Sequence, residues 1–253
     1  MKRFLIITIF LMTFNSEARL KIEIAKGTEQ LQKIAIVPFN SNINSQFEYQ
    51  VRNLINEKLT LFGEFESLDL SQMLSFPFNE ANFFVRDWEL LSIDYVIFGE
   101  ITETDESLEI NYVVSDINLK RIMLRGDISG LKKDIELIVK KISDRVYESI
   151  TGLKGIFNTK LAYILNPEPD NYSICISDID GNNEEVLFSS NSPLMSPDWS
   201  PDGKKLAYVS FEKGFAEIYI QNLLTGVRET IPTLGMSKSC LLYTSPSPRD
   251  TRE

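Results

Sequence analysis

The sequence predicts an α/β or α+β domain followed by the start of an incomplete β-propeller, and three observations lead there. Helical and strand-like hydrophobic periods alternate as far as Gly155, whereas after Phe157 the helical period disappears and short strands separated by turn residues take over. Within that second stretch Lys160-Leu161-Ala162-Tyr163-Ile164 recurs 45 residues later as Lys205-Leu206-Ala207-Tyr208-Val209. Ile174, Ile176 and Gly181 likewise recur as Ile218, Ile220 and Gly226, at offsets of 44 and 45. A four-stranded propeller blade takes about 40 to 45 residues and buries its faces only between neighbours, so a closed ring needs about four to eight blades. Residues 156–235 hold about two.

The elements follow in order. Met1-Lys2-Arg3, the apolar run from Phe4 to Phe14, and the small residues Ser16 and Ala18 read as a secretory signal peptide over residues 1–18. The run falls short of the ~20 residues that span a bilayer, so the mature chain, starting at Arg19, is expected to be exported and not inserted in a membrane. Leu20, Ile22 and Ile24 alternate as an amphipathic strand. Ile34-Ala35-Ile36-Val37 reads as a buried strand ended by Pro38, and Phe47, Val51, Leu54, Ile55 and Phe62 share a helical face closed by Gly63. Phe65 to Leu70 predicts a short strand, Glu80 to Leu91 a weaker helix, and Tyr95 to Phe98 another buried strand. Ile110 to Val113 and Ile122 to Leu124 suggest a meander. Leu131, Ile135, Ile138, Ile142 and Val146 make an amphipathic helix over 131–150 that closes at Gly152, with Lys132, Lys133, Lys140, Lys141 and Asp144 on its polar face. The α/β domain is thus expected over 19–155 and the propeller portion over 156–235.

Composition narrows function by exclusion. Of 253 residues, 26 are Lys or Arg and 36 Asp or Glu, a net charge of −10 that speaks against a nucleic-acid partner. There is no histidine, which removes Ser-His-Asp and Cys-His catalysis and imidazole-ligated metals together. The two cysteines, Cys175 and Cys240, are too few for a zinc site or a disulfide framework. Asp178, Asp180, Asn182 and Glu184 alternate like calcium ligands, but Asn183 and Ser189 stand where an EF-hand loop needs Gly and Glu, so a polar hairpin turn is expected. Glu100, Glu103, Asp105 and Glu106 are expected to be solvated loop carboxylates. In Ser200-Pro201-Asp202-Gly203 the proline sets φ, the aspartate bonds its own backbone and the glycine takes positive φ, which makes Asp202 a turn residue, and Trp199 is expected to pack between blades. No catalytic residue, metal ligand or cofactor site is expected.

Pro193-Leu194-Met195-Ser196-Pro197-Asp198-Trp199-Ser200-Pro201-Asp202-Gly203-Lys204-Lys205-Leu206-Ala207-Tyr208 resembles the first propeller repeat of the TolB family of the Tol-Pal envelope system. Leu153-Lys154-Gly155-Ile156-Phe157-Asn158-Thr159-Lys160-Leu161-Ala162-Tyr163 is similar to the family's passage from N-terminal domain to propeller, and Arg19 to Phe39 to its mature start. The likeness covers roughly 19–235.

That resemblance implies a periplasmic protein–protein adaptor and not an enzyme, needed for outer-membrane integrity and for envelope constriction in cell division. It implies two protein partners, a TolA-like inner-membrane protein met by the mature N-terminal segment and a Pal-like lipoprotein met by propeller loops. The residues themselves agree in part, because Arg19, Leu20, Lys21, Ile22, Glu23 and Ile24 form a short alternating strand able to dock on its own domain or to add to a partner's sheet. The competing reading, the N-terminal part of an exported propeller-containing hydrolase or peptidase, has neither a GxSxG elbow nor a histidine to support it. At the C-terminus, Cys240 to Asp250 departs from the family where the next Trp-Ser-Pro-Asp-Gly turn is due, and residues 236–253 read as a non-native, adapter-derived tail.

Overall fold

A computed structural model describes residues 31–43 and 46–231. Its first part is a six-stranded mixed sheet. Strands β1 (Gln32–Ile36), β2 (Asn40–Ser41), β3 (Phe65–Ser67), β4 (Tyr95–Glu103), β5 (Ser107–Asp116) and β6 (Arg121–Leu131) take the order β3-β1-β4-β5-β6, with β2 beside β4. Strand β1 runs parallel to β3 and β4, while β4, β5 and β6 form the antiparallel meander. Both faces of β1 are covered, which explains its unbroken apolar run. Ile34 and Ile36 face a cluster with Val51, Ile55 and Leu59 of helix α1 (Phe47–Thr60) and Ile138, Val139, Ile142 and Val146 of helix α3 (Ile135–Thr151). Ala35 and Val37 face the other way, onto Met73, Trp88, Ile93 and Ile117.

Local chemistry moves several boundaries from where periodicity puts them. Helix α1 stops at Thr60, and Gly63 (φ 69°) shapes the turn beyond it by donating to the Thr60 carbonyl. Strand β3 ends at Ser67 because Asp69 accepts from the Ser71 N–H and starts a 3-10 turn over Leu70–Gln72. The helix expected over 80–91 is two pieces. Asn79 caps a single 3-10 turn, Glu80–Asn82; Phe83 and Phe84 are extended, and only Val85–Glu89 (α2) is helical. Phe83 stacks on Phe98 of the sheet (4.7 Å between ring centroids), and that contact outweighs the helical period. Helix α3 begins at Ile135, later than its apolar spacing suggests, because Leu131 closes β6; it ends as expected at Gly152, whose left-handed φ of 73° lets it donate to the Glu148 carbonyl.

The second part is two propeller-like sheets. Strands β7 (Lys160–Glu168), β8 (Asn171–Asp178) and β9 (Glu185–Ser190) make a three-stranded antiparallel sheet. Strands β10 (Leu194–Trp199), β11 (Lys205–Ser210), β12 (Glu217–Asn222) and β13 (Arg228–Thr230) make a four-stranded one. Ile174, Leu194, Leu206 and Tyr208 are buried between them, with Ala162, Ile164, Phe188, Trp199 and Tyr219 packed around. The repeat therefore matches β7 to β11 and β8 to β12, and the counterpart of β10 in the first sheet would fall on residues 149–154, the end of α3 and its cap. Among the described residues the sheets close into no ring, as an incomplete propeller requires, and no helix is long and apolar enough to cross a membrane.

Candidate functional site

The predicted partner strand, Arg19, Leu20, Lys21, Ile22, Glu23 and Ile24, lies outside the described residues, as do the signal segment, Cys240 and the tail. Within them, the most elaborate charged arrangement lies where the β8–β9 turn meets helices α1 and α3.

Asp178, the last residue of β8, receives the Lys140 ammonium on Oδ2 at 2.7 Å and the Asn183 amide on the same oxygen at 2.7 Å, with Lys160 3.7 Å from Oδ1. Asp180, at the turn, pairs with Lys58 from the last turn of α1 and accepts from the Asn182 N–H at 3.0 Å. All four charged side chains are buried: Lys58 and Asp180 are 7% and 4% exposed, Lys140 and Asp178 11% and 6%. Burial alone would raise both carboxyls, but the bonds and charges of Lys140 and Lys160 on Asp178, and of Lys58 and Asn182 on Asp180, outweigh it and hold both below the usual carboxylate range. Lys58 mirrors this. Burial pulls its ammonium down, yet the bond to Asp180 and the charges of Asp180 and Glu57 leave it raised. Beside the pairs is a cleft of about 290 Å³, lined also by Leu54, Glu57 and Glu136.

The chain reaches this turn through a fastened linker. At Gly155 an added Cβ would sit 2.3 Å from the Asp144 Cα, so the backbone lies flush on α3. Asp144 Oδ1 accepts from the Phe157 N–H at 2.7 Å, and its carboxyl also takes the Asn158 N–H. Burial nevertheless leaves that carboxyl raised. Phe157, 1% exposed, belongs to the first core, stacking on Phe62 and meeting Tyr147 edge-on at 5.7 Å.

Other candidates resolve into structural roles. Asp178, Asp180 and Asn182 do form a hairpin turn. Glu103, expected in solvent, is 5% exposed and pairs with Lys132 at 2.7 Å, because β4 runs on to 103 and carries it against the start of the α3 segment; Glu100 is also within β4, and only Asp105 and Glu106 are exposed in the following turn. Asp202 serves its turn, accepting from Ser200 Oγ (2.6 Å) and the Lys204 N–H (3.1 Å) beside Gly203 at φ 67°. Trp199 packs against the inter-sheet cluster. Cys175 is fully buried, which pushes its thiol up. No group of three or more acidic or thiol side chains among the described residues is placed to hold a metal.

Lys58 and Lys140 are what periodicity missed, since Lys140 sits on the face of α3 assigned to solvent. A signal was present in the repeat. Shifted by 44 residues, Asp178 and Asp180 become Asn222 and Leu224 of the β12–β13 turn, so neither acid is demanded by the turn itself.

Known proteins match both halves. The model of the TolB amino-terminal domain matches residues 20–123, and that of the TolB beta propeller domain matches 147–241. The Tol-Pal system protein TolB of Histophilus somni is 33% identical over 231 residues, covering 88% of this chain and 53% of that protein. That of Alcanivorax borkumensis is 35% identical over 225 residues, covering 87% and 51%. The crystal structure of TolB from Acinetobacter baumannii superposes with a TM-score of 0.70 at 32% identity, over 81% of this chain and 50% of that one. The chain spans about half the length of the curated relatives it matches. With an amino-terminal domain and a propeller portion each matched in the expected order, and a solved relative sharing the fold, the chain belongs to the TolB family.

Proposed function

We propose that the chain is the amino-terminal half of a periplasmic adaptor of the Tol-Pal envelope system, working by reversible protein–protein association and not by catalysis. The observation that carries this is the joint match of amino-terminal and propeller domains to relatives named Tol-Pal system proteins. The charged groups of the described part agree, because the buried carboxylates Asp178, Asp180 and Glu103 are each engaged by a lysine. In this reading the adaptor supports outer-membrane integrity and constriction of the envelope at division. Its mature N-terminal strand, Arg19 to Ile24, adds to the sheet of a TolA-like inner-membrane protein, with Leu20, Ile22 and Ile24 as the apolar face. Propeller loops meet a Pal-like lipoprotein.

Titration calorimetry with the C-terminal domain of a TolA-like protein tests the reading. Deleting residues 19–24 is expected to abolish binding while the melting transition stays in place. Binding of the deleted chain as tight as that of the intact one refutes the strand's role.

A further inference from the structure

We propose that the junction of Lys58 and Lys140 with Asp180 and Asp178 is a releasable latch, which fixes the first propeller sheet against α1 and α3 and opens about a pivot between Thr159 and Lys160. This goes beyond the adaptor reading and does not rest on it.

Four observations lead to the latch. First, among the described residues no apolar cluster crosses the junction. The first core ends with Phe157, the inter-sheet cluster begins with Ala162, and what joins the two is charge. Polar interfaces of this kind between domains leave relative motion as the default. Second, the charges are not needed by the turn that carries them. In the equivalent β12–β13 turn Asn222 caps its own backbone, accepting from the Leu224 and Thr225 N–H groups at 3.0 Å each, and Leu224 is 95% exposed.

Third, the linker is fastened as far as Thr159, by Gly155, Asp144 and Phe157 and by the Thr159 N–H and Oγ1, which donate to the Ile156 carbonyl at 3.0 and 2.6 Å, and β7 begins at the next residue. A pivot there leaves both cores intact. Fourth, each charge keeps a neighbour on its own side when the halves part. Asp178 retains Lys160 and Asn183, Asp180 retains the Asn182 N–H, Lys58 retains Glu57 at 3.5 Å, and Lys140 has Glu136 one helical turn away on the cleft wall. Desolvation consumes most of the Coulomb gain in a buried pair, so these pairs contribute orientation more than net stability, and the adjoining cleft offers water a way in.

Hydrogen exchange followed by mass spectrometry on the full chain tests the latch. Asp178→Asn with Asp180→Asn keeps the turn's shape and removes its charge. Exchange of the amides at 159–161 and 178–183 is expected to rise at least tenfold, with β4, β5 and β6 unchanged. Lys58→Asp alone is expected to open the junction, and Lys58→Asp combined with Asp180→Lys to return exchange toward that of the parent. Wild-type rates in the double asparagine variant, a rise of all segments together, or failure of the charge swap to restore protection each overturn the proposal.

Discussion

Phe157 lies two residues beyond the domain boundary expected at 155, yet its side chain completes the first core, so a fragment cut at the expected boundary should be measurably crippled. Phe157→Ala removes a ring that is 1% exposed between Phe62 and Tyr147. Truncating a buried phenylalanine costs about 3–5 kcal/mol, and the low end applies where neighbours can close the gap. Phe62, 45% exposed, is free to swing inward, which sets the expected loss at about 3 kcal/mol. With a urea slope of about 2 kcal/mol/M, the midpoint falls by about 1.5 M. A fragment of 19–155 should lose slightly more than that relative to 19–159, because Asp144 also loses the Phe157 and Asn158 N–H donors. The assay is built in. The chain has two tryptophans, and only Trp88, buried in the first part, is present in these fragments. Midpoints for 19–155 and 19–159 that agree within about 0.3 M would show that Phe157 is no anchor.

The remaining predictions concern charge and stacking. Asp178 and Asp180 have folded-state values below those of the unfolded chain, so their contribution is complete above about pH 4 and is lost as pH falls through the lower folded values. Urea midpoints should therefore be flat from pH 7 to 5 and drop below about 4, less so in the double asparagine variant. Asp144 carries the opposite sign. Its raised folded value means that its charge opposes folding as pH rises through that value, so Asp144→Asn, which keeps an acceptor for both N–H groups, should be neutral or mildly stabilising at pH 7. Asp144→Ala leaves those donors unmet and should cost about 1–3 kcal/mol by the same unfolding curve. The Arg228 guanidinium lies over the rings of Phe188 and Tyr219, 3.8 and 4.4 Å from their centroids, bridging the two propeller-like sheets. Arg228→Lys keeps the charge without the flat stack and should weaken the second part by about 1 kcal/mol, read from Trp199 fluorescence on thermal unfolding.

What could be read from the sequence depended on whether a signal was local. The runs at 34–37 and 95–98, the stripe of α3 and the turns at Gly152 and Gly203 state their conformation within a few residues, and the structure has them. The 45-residue repeat is just as explicit, since two copies of one pattern are compared with each other. The continuous helix over 80–91 failed because Phe83 answers to Phe98, a partner periodicity does not see. The same blindness hid the buried charges: Lys140 and Asp178 stand 38 residues apart, Lys58 and Asp180 122, and each alone has the look of a solvated residue. Of the candidate site, the turn was legible and its partners were not, while the strand from Arg19 to Ile24 remains a sequence inference.

The first propeller-like sheet starts one strand late, because the stretch that would supply its inner strand is the last turn and cap of α3. Among the described residues strand β7 therefore has no strand paired along that edge, and Leu161 and Leu165 are partly exposed on the strand. A strand that reached that edge from a distant part of a chain would pair late. Pairing across such a separation meets its loop-closure entropy before any contact repays it, which makes it a slow event. The helices and meander of the first part, by contrast, are assembled largely from near neighbours. An order of events is thus written into the fold: the amino-terminal part condenses early, and any strand that pairs onto β7 from far away in sequence arrives late, with the edge open to other strands until then.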